Sequence, residues 1–269
     1  CMMYASLNAM IVDIRESRLR FERESQIESA TFLPQKPFAD LSSFEHDHGL
    51  TIEHRREVDA VVDSGLTLRV FERTTRVDIP AITAGRDVQA DDEMLLGQTV
   101  ATALKVPLGT KMTLLGRSFT VVGFAAVPDY MYPIRTTDDS GIILDPKAFG
   151  VAVITPAAMD TCAPKALATW HIRTVDGTTA TAQQALDETV GLTYWQDITT
   201  NPRYTLATVK LEGAASAETS IPLVILLLTC LLLAAAQGRM VRMQRAHLGT
   251  LKAMGYSTWE LVLQELALP

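Results

Sequence analysis

Ile221 to Ala236 reads IPLVILLLTCLLLAAA, sixteen residues without a charge. Gln237 and Gly238 follow, and then the bases Arg239, Arg242, Arg245 and Lys252. An α-helix rises about 1.5 Å per residue, and a hydrocarbon core about 30 Å thick requires about 20 residues to span. Thr219, Ser220, Gln237 and Gly238 supply the missing turn, because hydroxyls, amides and glycine are tolerated near the ends of a spanning helix. The rival is a helix buried in a soluble core. A helix apolar all round must be wrapped by protein or by lipid, and nothing else in the chain is apolar enough to wrap this one. The run therefore predicts a membrane-spanning helix.

The flanks set its direction. Four Lys/Arg follow the run before the first acid, Glu260, whereas Glu212 and Glu218 precede it. An excess of bases marks the cytoplasmic side, so residues 1–220 are expected outside and the C-terminal end inside. The chain of 269 residues carries a net charge of −7, although the part after residue 220 holds more bases than acids. The outer part is thus acidic, which argues against nucleic acid or anionic lipid as its partner. Cys1, Cys162 and Cys230 cannot make a disulfide framework, since one lies at the chain end and one inside the apolar run. The first residue is Cys rather than Met, so the expectation is a fragment preceded by a further segment, with another membrane helix the natural choice.

Leu7, Met10, Ile11 and Ile14 recur at helical spacing and predict an N-terminal helix, whose charged continuation from Arg15 to Glu24 reads as a solvated stalk. Between Gln26 and Arg203 short strands and helices with regular turn signals predict an α+β domain. The expected strands are Thr51–Val62, Leu66–Arg73, Val77–Ile82, Gly141–Leu144 and Ala168–Val175. Thr110–Leu115 and Ser118–Val127 form a hairpin around Gly116-Arg117, with Phe119 and Val121 on one face. Helices are expected over Leu95–Val106, ended by Pro107 and Gly109, and from Ala182 to Val190, ended by Gly191. Tyr204 to Ser220 should lead helically into the membrane. Arg239 to Met254 continues the helix, with Leu248, Leu251 and Met254 at spacings of three, and Gly255 stops it. Ser257-Thr258-Trp259-Glu260 is a capping box that opens a new apolar helix over Thr258–Leu266.

The run Arg239-Met240-Val241, Gln244-Arg245 and Leu248-Gly249-Thr250-Leu251-Lys252-Ala253-Met254-Gly255-Tyr256-Ser257 resembles the post-membrane signature of the FtsX-like permease family, the membrane subunits of MacB-type ABC transporters. Ala84-Gly85-Arg86, Asp92-Glu93-Met94, Leu108-Gly109-Thr110, Val122-Gly123 and the turn Pro128-Asp129-Tyr130-Met131-Tyr132-Pro133 resemble, more loosely, the extracytoplasmic domain of that family. Met243 departs from the acidic residue many members carry, and Leu248 stands for the usual isoleucine.

The resemblance implies a MacB-like periplasmic core followed by a long transmembrane helix and a cytoplasmic coupling helix. The implied division is a stalk helix at 1–25 after a missing first transmembrane helix, the outer domain at 26–203, stalk and membrane helix at 204–238, coupling helix at 239–256 and the start of the next membrane helix at 257–269. It further implies a bacterial inner-membrane protein, multi-pass at full length, with no catalytic residues or cofactor of its own. A separate cytoplasmic ATPase, the bilayer, a second permease half in a dimer or pseudo-dimer, and an extracytoplasmic substrate or accessory protein are the implied partners. Arg245, Leu248, Leu251, Lys252, Met254, Gly255 and Tyr256 would couple to the ATPase. The residues themselves agree, because Leu248, Leu251 and Met254 offer an apolar face to a groove while Arg245 and Lys252 can meet acids at its rim.

No GxxxxGK[ST] phosphate loop, GxSxG elbow or HExxH motif occurs in the sequence. Glu45-His46-Asp47-His48 with Glu53-His54 has the residue types of a divalent metal site and would mark a membrane-anchored hydrolase. The competing reading is a polar helix end stopped by Gly49, where histidine favours the helix dipole. Asp91-Asp92-Glu93 reads as a solvated turn before a helix rather than a calcium loop. The aromatic turn Pro128–Pro133 reads as a rigid cap on the core, ahead of a contact for a substrate or accessory protein. A regulatory complex that moves no substrate is the remaining alternative function.

Overall fold

The computed structural model describes residues 2–62, 65–135, 145–175, 179–243, 245–255, 257 and 259. By internal contacts the chain divides into two units, Met10–Glu212 and Gly213–Pro269 with Cys1–Ala9. In chain order the helices and strands are α1 (Met2–Glu24), β1 (Ala30–Pro34), α2 (Leu41–His48), β2 (Leu50–Val61), β3 (Thr67–Glu72), β4 (Ala81–Gly85), β5 (Glu93–Gly97), α3 (Gln98–Leu104), β6 (Lys111–Leu114), β7 (Arg117–Ala126), β8 (Phe149–Ile154), α4 (Pro156–Cys162), β9 (Leu167–Thr174), α5 (Ala180–Val190), β10 (Leu192–Asp197), α6 (Pro202–Met243) and α7 (Arg245–Ala253).

The first unit is built on one mixed sheet, in the order β10-β1-β9-β2-β3-β8-β5-β7-β4, with β6 pairing β7 beside it. The pairs β3/β8 and β5/β7 are parallel and the rest are antiparallel. Helices cover its faces and divide the core. At one end Leu68, Met94, Leu96, Phe119, Val121 and Met159 pack together among α3 and α4. At the other, Phe32, Ile52, Ile172 and Leu186 pack among α2 and α5. A third cluster, including Phe71, Leu95, Tyr130 and Val153, lies on the opposite side of the central strands. Each such fully buried apolar side chain contributes about 1.5–3 kcal/mol relative to exposure.

Several expectations hold. The hairpin β6–β7 turns through Leu115 and Gly116, whose φ values of 52° and 76° are both left-handed, the mark of the tight turn that matches strand twist. Phe119 and Val121 are both fully buried. The α5 helix stops at Gly191, and α2 stops at Gly49 with φ 62°. The polar helix end is thus the correct reading of the histidine-rich stretch.

Others need correction. The segment Leu95–Val106 is not one helix. Glu93–Gly97 is a strand, and Gly97 begins the shorter helix α3. Met94, Leu95 and Leu96 are consecutive and wholly buried because β5 lies between β7 and β8 and is covered on both faces. Val77–Ile82 is mostly loop, since Asp78 is left-handed at φ 50° and Pro80 has no N–H to offer a ladder. Asp91–Glu93 leads into β5 and so precedes a strand. The expected strand at 141–144 lies outside the described residues, as does the expected helix at 258–266 apart from Trp259.

Two glycines of the loosely matching signature have a mechanical reason. A Cβ on Gly123 would stand 2.3 Å from the Arg86 carbonyl oxygen, and one on Gly85 would stand 2.3 Å from that of Val122. The β4 and β7 backbones can therefore approach only while both positions are bare. Gly123→Ala is expected to destabilise the unit by about 2–3 kcal/mol, because the clash is with main chain that cannot rotate away. Chemical unfolding would check this, and a loss below about 0.5 kcal/mol would contradict it.

The second unit carries the long apolar run. Pro222–Met240, 19 residues of mean hydropathy 2.0, is long and apolar enough to cross a membrane, and none of its window is buried. Thr229 satisfies its hydroxyl inside the helix by donating to the Ile225 carbonyl at 2.8 Å.

Candidate functional site

Glu28, Arg55, Asp78, Asp129 and His171 come together inside the first unit, from segments far apart in the chain. The sheet explains how. β9 lies between β1 and β2, and its register sets His171 opposite Thr31 on one side and Glu53 on the other. Arg55 follows two residues along β2, opposite Thr169. Glu28 stands just before β1. Asp78 comes from the loop before β4, which Glu53 ties down by accepting from the N–H groups of Thr75, Arg76 and Val77. Asp129 sits in the 3₁₀ turn Pro128–Tyr130 after β7.

All five side chains are buried, and their exposures lie between 1% and 3%. Charges so far from water are sustained only by pairing. Arg55 donates to both Asp129 oxygens, Nη1 to Oδ1 at 3.0 Å and Nη2 to Oδ2 at 2.5 Å, and its guanidinium lies 4.3 Å from the Phe71 ring centre. His171 Nδ1 donates to Glu28 Oε2 at 2.5 Å, and its Nε2 faces Thr169 Oγ1 at 2.9 Å. Thr31 also donates to Glu28 Oε2, at 2.6 Å. The Glu28 N–H donates to Asp78 Oδ1 at 2.9 Å. Asp78 Oδ2 lies 2.9 Å from the same His171 Nδ1, but Glu28 takes that proton and Oδ2 accepts no hydrogen bond.

The electrostatics follow from three acids facing two bases. Burial, and then the charges of Glu28 and Asp129, push the Asp78 carboxyl up to about 7 against the pull of His171. Burial and the Arg55 charge oppose a second proton on His171, yet Glu28 and Asp78 outweigh them and raise it to about 9. Burial also disfavours the Asp129 anion, but Arg55 overcomes it and holds that carboxyl below its ordinary value. The cluster holds an ionised Arg–Asp pair beside an imidazolium that is hydrogen-bonded to Glu28 and lies 2.9 Å from Asp78.

A cavity of about 250 Å³ opens onto this group. Arg55, Asp129 and His171 form its floor, and Arg69, Tyr130, Tyr194 and Arg203 are among its other walls. Arg69 donates to the Tyr130 hydroxyl at 2.7 Å, and the Arg203 guanidinium lies 4.3 Å from the Tyr130 ring centre. A larger hollow of about 460 Å³ lies between α5 and β10, but Asp187 is its sole charged lining residue. The convergent chemistry is at the smaller one.

The histidine-rich stretch does not converge. Glu45 accepts from the Ile52 N–H and pairs with Arg76, His48 stacks on Phe44, and His54 packs against Trp170. Among the described residues the one group of potential metal ligands is the buried cluster. The aromatic turn caps the core, with Tyr130 and Tyr132 buried, and it also delivers Asp129. The sequence reading missed Glu28, Arg55, Asp78 and His171. The available signal was a charge within an apolar strand, as in Trp170-His171-Ile172.

The residues proposed to meet an ATPase lie in the second unit. Arg245, Leu248, Leu251 and Lys252 are on α7, Leu251 is half-buried, and Lys252 and Met254 are exposed. Gly255 follows with φ 101°, a left-handed turn after the helix. Tyr256 lies outside the described residues.

No protein-family model and no curated protein sequence matches the chain. Among solved structures it is similar to the extracellular domain of YknZ, a noncanonic ABC-type transporter from Gram-positive bacteria. The identity is 10% and the TM-score 0.41, over 63% of this chain and 98% of that one. It is also similar to the periplasmic region of MacB from Actinobacillus actinomycetemcomitans, at 12% identity and a TM-score of 0.42, over 68% of this chain and 95% of that one.

Proposed function

We propose that the chain is part of a permease subunit of an ABC transporter of the FtsX-like type, which carries ATP-driven motion from a cytoplasmic ATPase to an outer mixed-sheet domain. The observation that carries this reading is the exposed apolar helix Pro222–Met240, followed at once by the short basic helix α7 and a glycine stop. A helix so apolar has no stable place in water, and the bases after it favour the cytoplasmic face. The post-membrane signature at residues 239–257 supports the family. In this reading the chain does no chemistry itself. Arg245, Leu248, Leu251, Lys252, Met254, Gly255 and Tyr256 form the elbow that docks to the ATPase.

Thiol labelling of the chain in intact bacterial cells tests the topology. In a background with Cys1, Cys162 and Cys230 replaced by serine, Asp92→Cys is expected to react with a membrane-impermeant maleimide in whole cells. Lys252→Cys is expected to react only after lysis. Labelling of Lys252→Cys in whole cells would place the elbow outside and end the permease reading.

A further inference from the structure

We propose that the buried cluster of the outer unit is a binding site for one divalent cation, zinc by the chemistry of its donors, held by His171 Nδ1 and the carboxylates of Glu28 and Asp78. The donor atoms of Glu28, Asp78, Asp129 and His171 all lie within 4.8 Å of one another. Asp129 is already engaged at both oxygens by Arg55, which leaves one nitrogen and two carboxylates as ligands. One imidazole with carboxylates is a set that zinc accepts, with a further position left for water.

Three observations point to a cation rather than to a closed ion-pair network. The first is Asp78 Oδ2, buried in a residue 1% exposed, which faces His171 Nδ1 at 2.9 Å but, because that N–H is directed to Glu28, accepts no hydrogen bond of its own. A buried carboxylate oxygen without a donor is costly, and a metal would satisfy it directly. The second is charge. With all three carboxyls ionised, the acids outnumber Arg55 and the His171 imidazolium by one, and a divalent cation that takes the place of the His171 Nδ1 proton leaves the group neutral. The third is the outer shell. Thr169 stands at His171 Nε2, Thr31 holds Glu28, and the Glu28 N–H holds Asp78 Oδ1, so each ligand is oriented by a partner that a bound metal would leave in place.

The geometry requires little rearrangement. His171 Nδ1 now stands 2.5 Å from Glu28 Oε2 and 2.9 Å from Asp78 Oδ2. Ligands at about 2.0–2.2 Å from zinc stand roughly 3 Å or more apart, so the donors must open by less than about 1 Å as the metal replaces the shared proton. The cavity of about 250 Å³ reaches His171 beside the site, although Glu28 and Asp78 do not line it. The proposal is independent of the permease reading.

The test uses the full chain in detergent, stripped with a chelator and then dialysed against zinc or cobalt. One equivalent of zinc is expected to remain bound and to raise the melting temperature. Cobalt is expected to give the intense visible absorption of a low-coordinate nitrogen and oxygen site. Asp78→Asn keeps the Oδ1 acceptor and removes a buried charge, so it is expected to fold while retaining no metal. His171→Gln should lose the cobalt spectrum as well. Retention of less than half an equivalent by the wild type, or equal retention by Asp78→Asn, would overturn the proposal.

Discussion

Arg55→Ala is expected to destabilise the first unit by about 3–5 kcal/mol, the range for removing one partner of a buried ion pair. The reason is what it leaves behind. Asp129 is 3% exposed, and Arg55 supplies both of its charge-assisted hydrogen bonds in the cluster. Without that guanidinium the carboxylate must remain as an uncompensated buried charge or take up a proton. The Phe71 ring also loses the cation lying 4.3 Å from its centre. The effect should be visible in urea unfolding of the detergent-solubilised chain, followed through Trp170 and Trp195, which pack around Phe32 in the same unit. Replacing the pair together, as Arg55→Met with Asp129→Leu, should recover much of the loss, because a packed apolar pair of similar size needs no compensating charge. A single-variant loss below 1 kcal/mol would show that water reaches Asp129 and that the cluster is not closed.

The apolar helix was more legible in the sequence than the mixed sheet, and the physics explains the difference. The apolar run, its basic flank and the stop at Gly255 are local signals, each carried by neighbouring residues. The same holds for the β6–β7 hairpin, expected around Gly116-Arg117 and turning one residue earlier, and for the helix ends at Gly49 and Gly191. β8 was missed because Phe149–Ile154 is buried along its whole length, so it lacks the alternation that marks a half-exposed strand. The misreading of Leu95 as helical has the same origin, since β5 is also covered on both faces. The buried cluster was illegible for another reason. Glu28 and His171 are 143 residues apart, and only the pairing of β1 with β9 makes them neighbours. What sequence could offer at these positions was a single charge amid apolar residues. The denser cluster at Glu45–His54 drew the metal reading, whereas the fold spends those side chains on capping, packing and loop anchoring.

Leu251→Asp is the second change of large expected effect. In the permease reading Leu251, with Leu248 and Met254 at spacings of three in the sequence, enters a groove of the ATPase. Lys252 is exposed, and α7 ends at Ala253, two residues before the left-handed Gly255. An aspartate at position 251 would be buried without a partner on docking. The cost is about 3 kcal/mol or more, above a hundredfold in affinity. Because the change lies outside the first unit, the stability of that unit should be unaltered, which separates lost docking from lost folding.

The most direct measurement is therefore co-purification. The protein is solubilised from membranes in mild detergent, captured by a terminal tag, and its companions are identified. A protein bearing the GxxxxGK[ST] phosphate loop is expected with the wild type and at most traces of it with Leu251→Asp. Capture of the wild type with no such ATPase, or equal recovery with Leu251→Asp, would contradict the coupling role and leave the apolar helix as an anchor for the outer unit.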